Sequence, residues 1–456
     1  MVAEVPYIFD VRITSLKLKD VGPFDDTTIT FPKGERDDLA DVYLLVGQNG
    51  CGKTALHMLA ALIAPDRTED LRVARRFIGE ESLARVEDDQ QMLWALGPQL
   101  DRGFATERTP DRARELGLYA NGGQAGMTSF VKPPGFAQGH PVEVFRSGIP
   151  SSRRAVGWAA FSYAGARSVA DTRVASIAEI SDAPLMGALG FAATADSQRL
   201  AQWIANQHFQ RLKAKDAGAA AQADAIEESI RRIERAIADI IGDTFSFEHS
   251  LSDLDVRVRL AGGVIDFGLL PEGLKSIVSW LADLLMRLER TPWADDTPVL
   301  QREFLLLLDE IDVHLHPTWQ RKVLPVVQRL FPNAQIIAST HSPFVVASLA
   351  DGAVIELKLD ERGRATAQEP KKAPLRLSYR ATLKDLFGIN SDFDFETEQK
   401  FAKFHDATER ALRGDGVADS DVKRLAEELQ TSGGEEVAQI VQFELNQLAR
   451  LKKAAR

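Results

Sequence analysis

The chain has 456 residues, 45% hydrophobic and 27% charged, which is the balance of a globular protein of two or three domains and excludes a disordered or fibrous chain. A formal net charge of −11 repels the phosphate backbone, so any nucleic-acid contact would have to use a local basic face. The single cysteine, Cys51, excludes an internal disulfide and a cysteine-built zinc site, and with no leader pattern and no run of about 18 apolar residues the expectation is a cytoplasmic protein without a membrane span.

Residues 12–19 alternate polar and apolar side chains, a Gly22-Pro23 turn follows, and residues 28–31 alternate again, so two antiparallel strands are predicted to open the fold. Residues 42–46 (VYLLV) read as a buried strand, and residues 55–64 as a helix from the spacing of Leu56, Leu59, Ala60 and Ile63. From about residue 65 to 152 the chain is rich in Arg, Asp and Gly with weak periodicity, the pattern of an insertion made of loops and short helices. A helical stretch starts near Ser197, and Ile226, Ile230, Ile233, Ile237 and Ile240 form one amphipathic stripe too short for a long coiled-coil arm. Strand-like runs return at residues 244–247 and 256–260, and a loop at 270–273 opens an apolar helix over 277–288. Residues 304–308 and 336–338 are short apolar runs separated by a helical pattern at 318–331, as in parallel α/β units. A hairpin over 354–367 and a mostly helical tail complete the chain.

The chemistry is concentrated in three places. Gly47-Gln48-Asn49-Gly50-Cys51-Gly52-Lys53-Thr54 matches G-x-x-x-x-G-K-[ST] between a strand and a helix. Such a loop turns its backbone N–H groups toward phosphates, while Lys53 brings a positive charge to the outer phosphates and the Thr54 hydroxyl would ligate Mg²⁺. Cys51 reads as a small tolerated residue rather than a redox switch. The run 305–310 (LLLLDE) ends a buried strand in two carboxylates, with Asp309 expected to face the metal and Glu310 to orient attacking water. Residues 339–343 (STHSP) follow another buried strand, which would set His341 beside the same site within reach of a γ-phosphate.

Together with residues 311–317 (IDVHLHP), these motifs resemble the ABC-type ATPases of the SMC, RecF and OLD-like group. The Leu315-His316-Pro317 step and residues 163–167 (YAGAR) are similar to its antiphage-defence branch, which includes Septu PtuA-like and PARIS AriA-like ATPases. The resemblance implies an α/β P-loop NTPase of ABC/SMC-head type with an insertion or lid and a helical C-terminal extension. It further implies ATP and Mg²⁺ as cofactors, head-to-head dimerisation, and a separately encoded effector, a nuclease, as partner. In that group a signature loop of one subunit closes over ATP held by the other. The matching stretch is residues 270–276 (LPEGLKS), where Gly273 fits the pattern, whereas Pro271 replaces a serine and Glu272 a glycine, and proline has no N–H to donate. His316 stands where the family carries a dimer-contacting aspartate.

The corresponding division is residues 1–75 for a first ATPase lobe, 76–155 for the insertion, 156–245 for a mixed and then helical subdomain, 246–350 for a second lobe, and 351–456 for the hairpin and helical region. The basic clusters, such as Arg231, Arg232 and Arg235, read as solvated helix faces more readily than as phosphate contacts. Residues 392–396 (DFDFE) suggest a strand or the start of a helix more than a nuclease metal site. A RecF-like DNA-binding ATPase and a transporter ATPase subunit are the alternatives to the effector-regulating reading.

Overall fold

A computed structural model of the protein describes residues 11–53, 55–64, 82–89, 93–96, 128–131, 141–149, 154–165, 178, 180–191, 197–249, 256–373, 377–387, 393–413, 418–432 and 434–454. They divide into two compact units, Met1–Thr382 and Leu383–Arg456.

The first unit is built on a mixed sheet whose centre is parallel. β3 (Asp41–Gly47), β7 (Ala159–Tyr163), β11 (Phe304–Leu308), β12 (Gln335–Ser339) and β13 (Gly352–Leu359) lie side by side in the order β13-β3-β12-β11-β7. Every residue of β7, β11 and β12 is buried, as expected for parallel strands covered on both faces. β1 (Ile13–Val21) and β2 (Phe24–Thr30) form the opening antiparallel pair. Beyond β1 the sheet continues through β4 (Leu83–Asp88), β5 (Leu93–Leu96) and β6 (Thr128–Val131). These strands fall where the sequence suggested only loops and short helices. Their alternation is short, and β4 is defined by the free edge of β1, with Leu16 opposite Val86 and Leu18 opposite Ala84. The predicted hairpin is β13 with β14 (Ala365–Ala367), while β15 (Lys371–Lys372) pairs with the start of β13.

Helices cover this sheet. α1 (Ala55–Ile63) leaves the loop after β3, and α2 (Pro141–Gly148) precedes β7. α3 (Ser197–Asp216) and α4 (Ala220–Ile241) pack on each other as a hairpin, with the isoleucine stripe buried at Ile230, Ile233, Ile237 and Ile240. β8 (Ser246–His249), β9 (Val256–Leu260) and β10 (Gly263–Asp266) make a separate antiparallel sheet. α5 (Glu272–Arg290) starts five residues before the predicted apolar run, at the Pro271 N-cap, and is buried almost all round. α6 (Pro317–Leu330) is the crossover between β11 and β12, and α7 (Pro343–Ser348) follows β12. The Ser342 hydroxyl caps α7 by accepting from the N–H groups of Phe344 and Val345, with Pro343 pre-set for the first turn.

The boundary between the units falls within α8 (Tyr379–Phe387). The second unit contains α9 (Phe395–Leu412), α10 (Ala418–Ser432) and α11 (Gly434–Ala454), closed over a core that includes Phe404, Ala407, Leu429 and Val441. Asp394 caps α9, its carboxylate accepting from the N–H groups of Glu396 and Thr397 at 3.0 and 3.1 Å. The acid-and-phenylalanine run is therefore the start of a helix; Asp392 lies outside the described residues. No helix among the described residues is long and apolar enough to cross a membrane.

Candidate nucleotide site

The order β3-β12-β11-β7 decides which side chains meet, because parallel strands end on the same side of the sheet. β3 delivers the Gly-rich loop, β12 delivers residues 339–341, β11 delivers Asp309 and Glu310, and β7 delivers residues 163–165.

The loop departs from β3 at Gly47, where φ is 153° and a Cβ would stand 2.3 Å from the Leu357 carbonyl oxygen, so any larger residue would have to push β13 away. Gln48, Asn49 and Gly50 are exposed, whereas Cys51, Gly52 and Lys53 are buried. Lys53 curls back into its own loop, its Nζ donating to the carbonyls of Gly47 and Gln48 at 2.8 and 2.9 Å. Burial lowers the Lys53 pKa, and the negative charges of Asp309, Glu310 and Asp312 oppose that shift. The ammonium group is thus a desolvated cation with two carbonyl acceptors and a field of carboxylates beside it. The Cys51 thiol is pushed up by burial, as an inert packing residue would be. Thr54 lies outside the described residues.

Asp309 continues the line of β11, its N–H donating to the Tyr163 carbonyl at 2.9 Å. The Ser339 hydroxyl donates to Asp309 Oδ1 at 2.5 Å and accepts the Glu310 N–H at 2.8 Å. Asp309 Oδ2 meets His57 Nε2 of α1 at 3.2 Å. Glu310 is exposed and adopts a left-handed backbone, φ 50°, which is rare for a residue with a Cβ and turns the chain sharply after the strand. Gly165 lies against it, leaving no room for a methyl group: a Cβ there would be 2.6 Å from both Glu310 Cβ and Oε2.

Asp312 ties the next turn to β12, its Oδ1 accepting from the Thr340 hydroxyl at 2.5 Å and from the His341 N–H at 3.2 Å. His341 faces solvent, and its pKa falls below the ordinary histidine value, first by desolvation and next by the Lys53 ammonium. His341, Lys53, Asp309, Glu310 and Asp312 therefore share one electrostatic neighbourhood.

Gly273 sits at the start of α5 rather than among these groups. A Cβ on it would be 2.5 Å from the His314 carbonyl oxygen, so the turn that begins at Glu310 runs directly to the N-terminus of α5. Glu272 pairs with Lys275 at 2.8 Å in the first turn of that helix. His316 caps α6, its Nδ1 accepting from the Thr318 N–H at 3.3 Å.

Three contributors carried no role in the sequence reading. His57 is the one polar side chain in the nine residues of α1. The Ser339 hydroxyl lay inside a recognised run without an assigned partner. Behind the site, Tyr163 donates its hydroxyl to Asp283 at 2.9 Å, and Asp283 accepts from Arg287 Nε at 2.7 Å, linking β7 to α5 through a fully buried ion pair.

Residues 188–347 match a protein family described as "AAA domain, putative AbiEii toxin, Type IV TA system". Over 124 residues the chain is 36% identical to "Septu protein PtuA" of Bacillus thuringiensis, covering 27% of this chain and 31% of that protein. Over 118 residues it is 33% identical to "Retron Vc95 probable ATPase" of Vibrio cholerae serotype O1 biovar El Tor, covering 26% of this chain and 23% of that protein. The "Retron Ec83 probable ATPase" of Escherichia coli is 25% identical over 218 residues, covering 48% and 39% respectively. The chain thus spans only 23 to 39% of the length of these relatives. Among solved structures, an SMC head domain from Thermotoga maritima aligns with a TM-score of 0.39 at 15% identity, covering 79% of this chain and 99% of that one. The family match encloses the Gly273, Asp309–Glu310 and His341 segments, and the chain is similar to AAA-domain proteins and to the Septu PtuA and retron ATPase relatives.

Proposed function

We propose that the chain binds and hydrolyses ATP at an interface between two copies of its head, and that this cycle senses or regulates a separately encoded effector, a nuclease, in antiphage defence. One observation carries the catalytic half of this reading: the parallel order β3-β12-β11 brings the Gly-rich loop with Lys53, residues 339–341 and the Asp309–Glu310 pair to the same end of the sheet.

Each side chain has a role in that reaction. Lys53 would exchange its two loop carbonyls for oxygens of the β- and γ-phosphates, and the backbone N–H groups of residues 47–53 would surround the remaining phosphate oxygens. Glu310 would hold the attacking water and accept its proton, and His341 would donate to the γ-phosphate from a ring kept neutral near pH 7. Asp309 and Thr54 would hold Mg²⁺. Their chemistry fits that ion: both offer hard oxygen donors, and Mg²⁺ characteristically combines one or two protein oxygens with phosphate and water. When bound, Mg²⁺ neutralises charge on the β- and γ-phosphate oxygens.

Dimer closure through Gly273 rests on the resemblance of residues 270–276, and the effector on the relatives named Septu PtuA and retron ATPase. Arg231, Arg232 and Arg235 are engaged by Glu227, Glu228 and Glu289, as on a solvated helix face.

The test is to express Glu310→Gln with its chromosomal neighbours, purify it with ATP and weigh the assembly by native mass spectrometry. A dimer retaining ATP and carrying a neighbour at fixed stoichiometry is expected. A monomer that binds no neighbour would contradict the reading.

A further inference from the structure

We infer that His57 is a positioning residue for the metal-facing carboxylate of Asp309, held in place by a ring stack with Phe191. The inference rests on the proposed ATP and Mg²⁺ reading and adds a residue to it.

The other eight residues of α1 are Ala, Leu, Met or Ile and are all buried, so a polar ring at position 57 is anomalous for the helix. It is also the only α1 side chain able to reach a carboxylate by hydrogen bonding. Its Nε2 stands 3.2 Å from Asp309 Oδ2, and the imidazole and carboxylate groups are each about 15% exposed. Asp309 Oδ1 is taken by the Ser339 hydroxyl at 2.5 Å. Both oxygens therefore have a protein partner, one from the strand beside β11 and one from the helix above it.

The ring is oriented by a neighbour that is itself in an unusual conformation. Phe191 lies flat on His57, with centroids 3.8 Å apart and planes within 4°. Its backbone is left-handed, φ 48°, a region bulky side chains rarely occupy unless the surroundings impose it. Its N–H is held by the Ser162 hydroxyl of β7 at 3.1 Å. The chain of contacts thus runs from β7 through Phe191 and His57 to Asp309 at the end of β11. Stacking fixes the plane of the imidazole, and the fixed plane sets the direction of Nε2. Partners that orient a metal-ligating group in this way typically change metal affinity by about 10- to 100-fold when removed.

Two variants separate the donor from the stack. His57→Phe keeps an aromatic face for Phe191 and removes the donor; His57→Gln keeps an amide N–H and removes the ring. Mn²⁺ would be titrated by electron paramagnetic resonance into protein saturated with a non-hydrolysable ATP analogue, and metal-free affinity for the same analogue measured with EDTA present. Expected is a weakening of Mn²⁺ binding by about tenfold or more in His57→Phe, substantial recovery in His57→Gln, and unchanged metal-free affinity in both. Wild-type Mn²⁺ affinity in His57→Phe would overturn the inference, as would equal losses in the two variants or a matching loss of metal-free affinity. If the wild type itself takes up no analogue, the ATP reading fails as well. If it binds analogue and loses it on Lys53→Ala while His57→Phe behaves as wild type, only the His57 inference fails.

Discussion

The Ser339 side chain holds Asp309 and its neighbour at once: its hydroxyl donates to Asp309 Oδ1 at 2.5 Å and accepts the Glu310 N–H at 2.8 Å. One oxygen from β12 thus sets the orientation of the carboxylate expected to face the metal and anchors the backbone of the residue expected to hold water. The two bonds together contribute about 2–4 kcal/mol, one of them being to a charged group.

Ser339→Ala should therefore lower ATP turnover by about tenfold or more while leaving metal-free nucleotide affinity near wild type, because the Lys53 loop is untouched. Steady-state kinetics beside an equilibrium binding titration would show the split. An unchanged kcat would remove Ser339 from the account.

Gly165→Ala inserts a methyl group 2.6 Å from Glu310 Cβ and Oε2, closer than real contacts allow. The Oε2 end of Glu310 can swing away but its Cβ moves only with the backbone, so the turn after β11 must shift; the variant should keep the Lys53 loop and bind ATP yet lose hydrolysis. Single-turnover measurements on preformed complexes would isolate that loss, and Gly165→Ala turning over ATP at the wild-type rate would argue that Glu310 works from a different position.

The Asp283–Arg287 pair is buried to 1% exposure on both sides, and the guanidinium also donates to the carbonyls of Pro184 and Met186. Asp283→Ala would strand a buried positive charge and should cost about 3–5 kcal/mol of stability, readable as a lower midpoint in urea. It should also loosen Tyr163, whose hydroxyl donates to Asp283 and whose carbonyl accepts from Asp309.

His341 supplies a pH signature. Its pKa in the folded chain lies below the ordinary value, so the unfolded chain binds more protons between the two values and stability rises with pH there. The contribution is complete above about pH 6.5 and is lost as acidification passes through the folded-state value. Denaturation midpoints measured across that window should slope less steeply in His341→Gln than in the wild type. Identical slopes would place the titration elsewhere.

Much of this arrangement could be read from the residues. A phosphate-binding loop of this kind uses closely spaced glycines, a lysine and a hydroxyl within eight residues, so residues 47–54 carry their own signal. The fully buried parallel strands also announced themselves, since β11 and β12 are unbroken apolar runs. The strands β4 to β6 escaped because their pairing depends on an edge that β1 offers more than 60 positions earlier in the chain. The contribution of Ser339 depends on the register that sets Leu308 opposite Ala338, and periodicity within one strand carries no register. His57 gave one faint sign, a lone polar ring in an apolar helix, but its partner lies 252 residues away. The Tyr163–Asp283 bond spans 120 residues and was equally invisible.

Lys53, Asp309 and Glu310 are proposed to form one ATP site. The most direct measurement is ATP binding and turnover by the wild type, Lys53→Ala and Glu310→Gln side by side. Expected are binding and turnover in the wild type, neither in Lys53→Ala, and binding without turnover in Glu310→Gln. Turnover that survives Lys53→Ala, or that is unaffected by Glu310→Gln, would contradict that proposal.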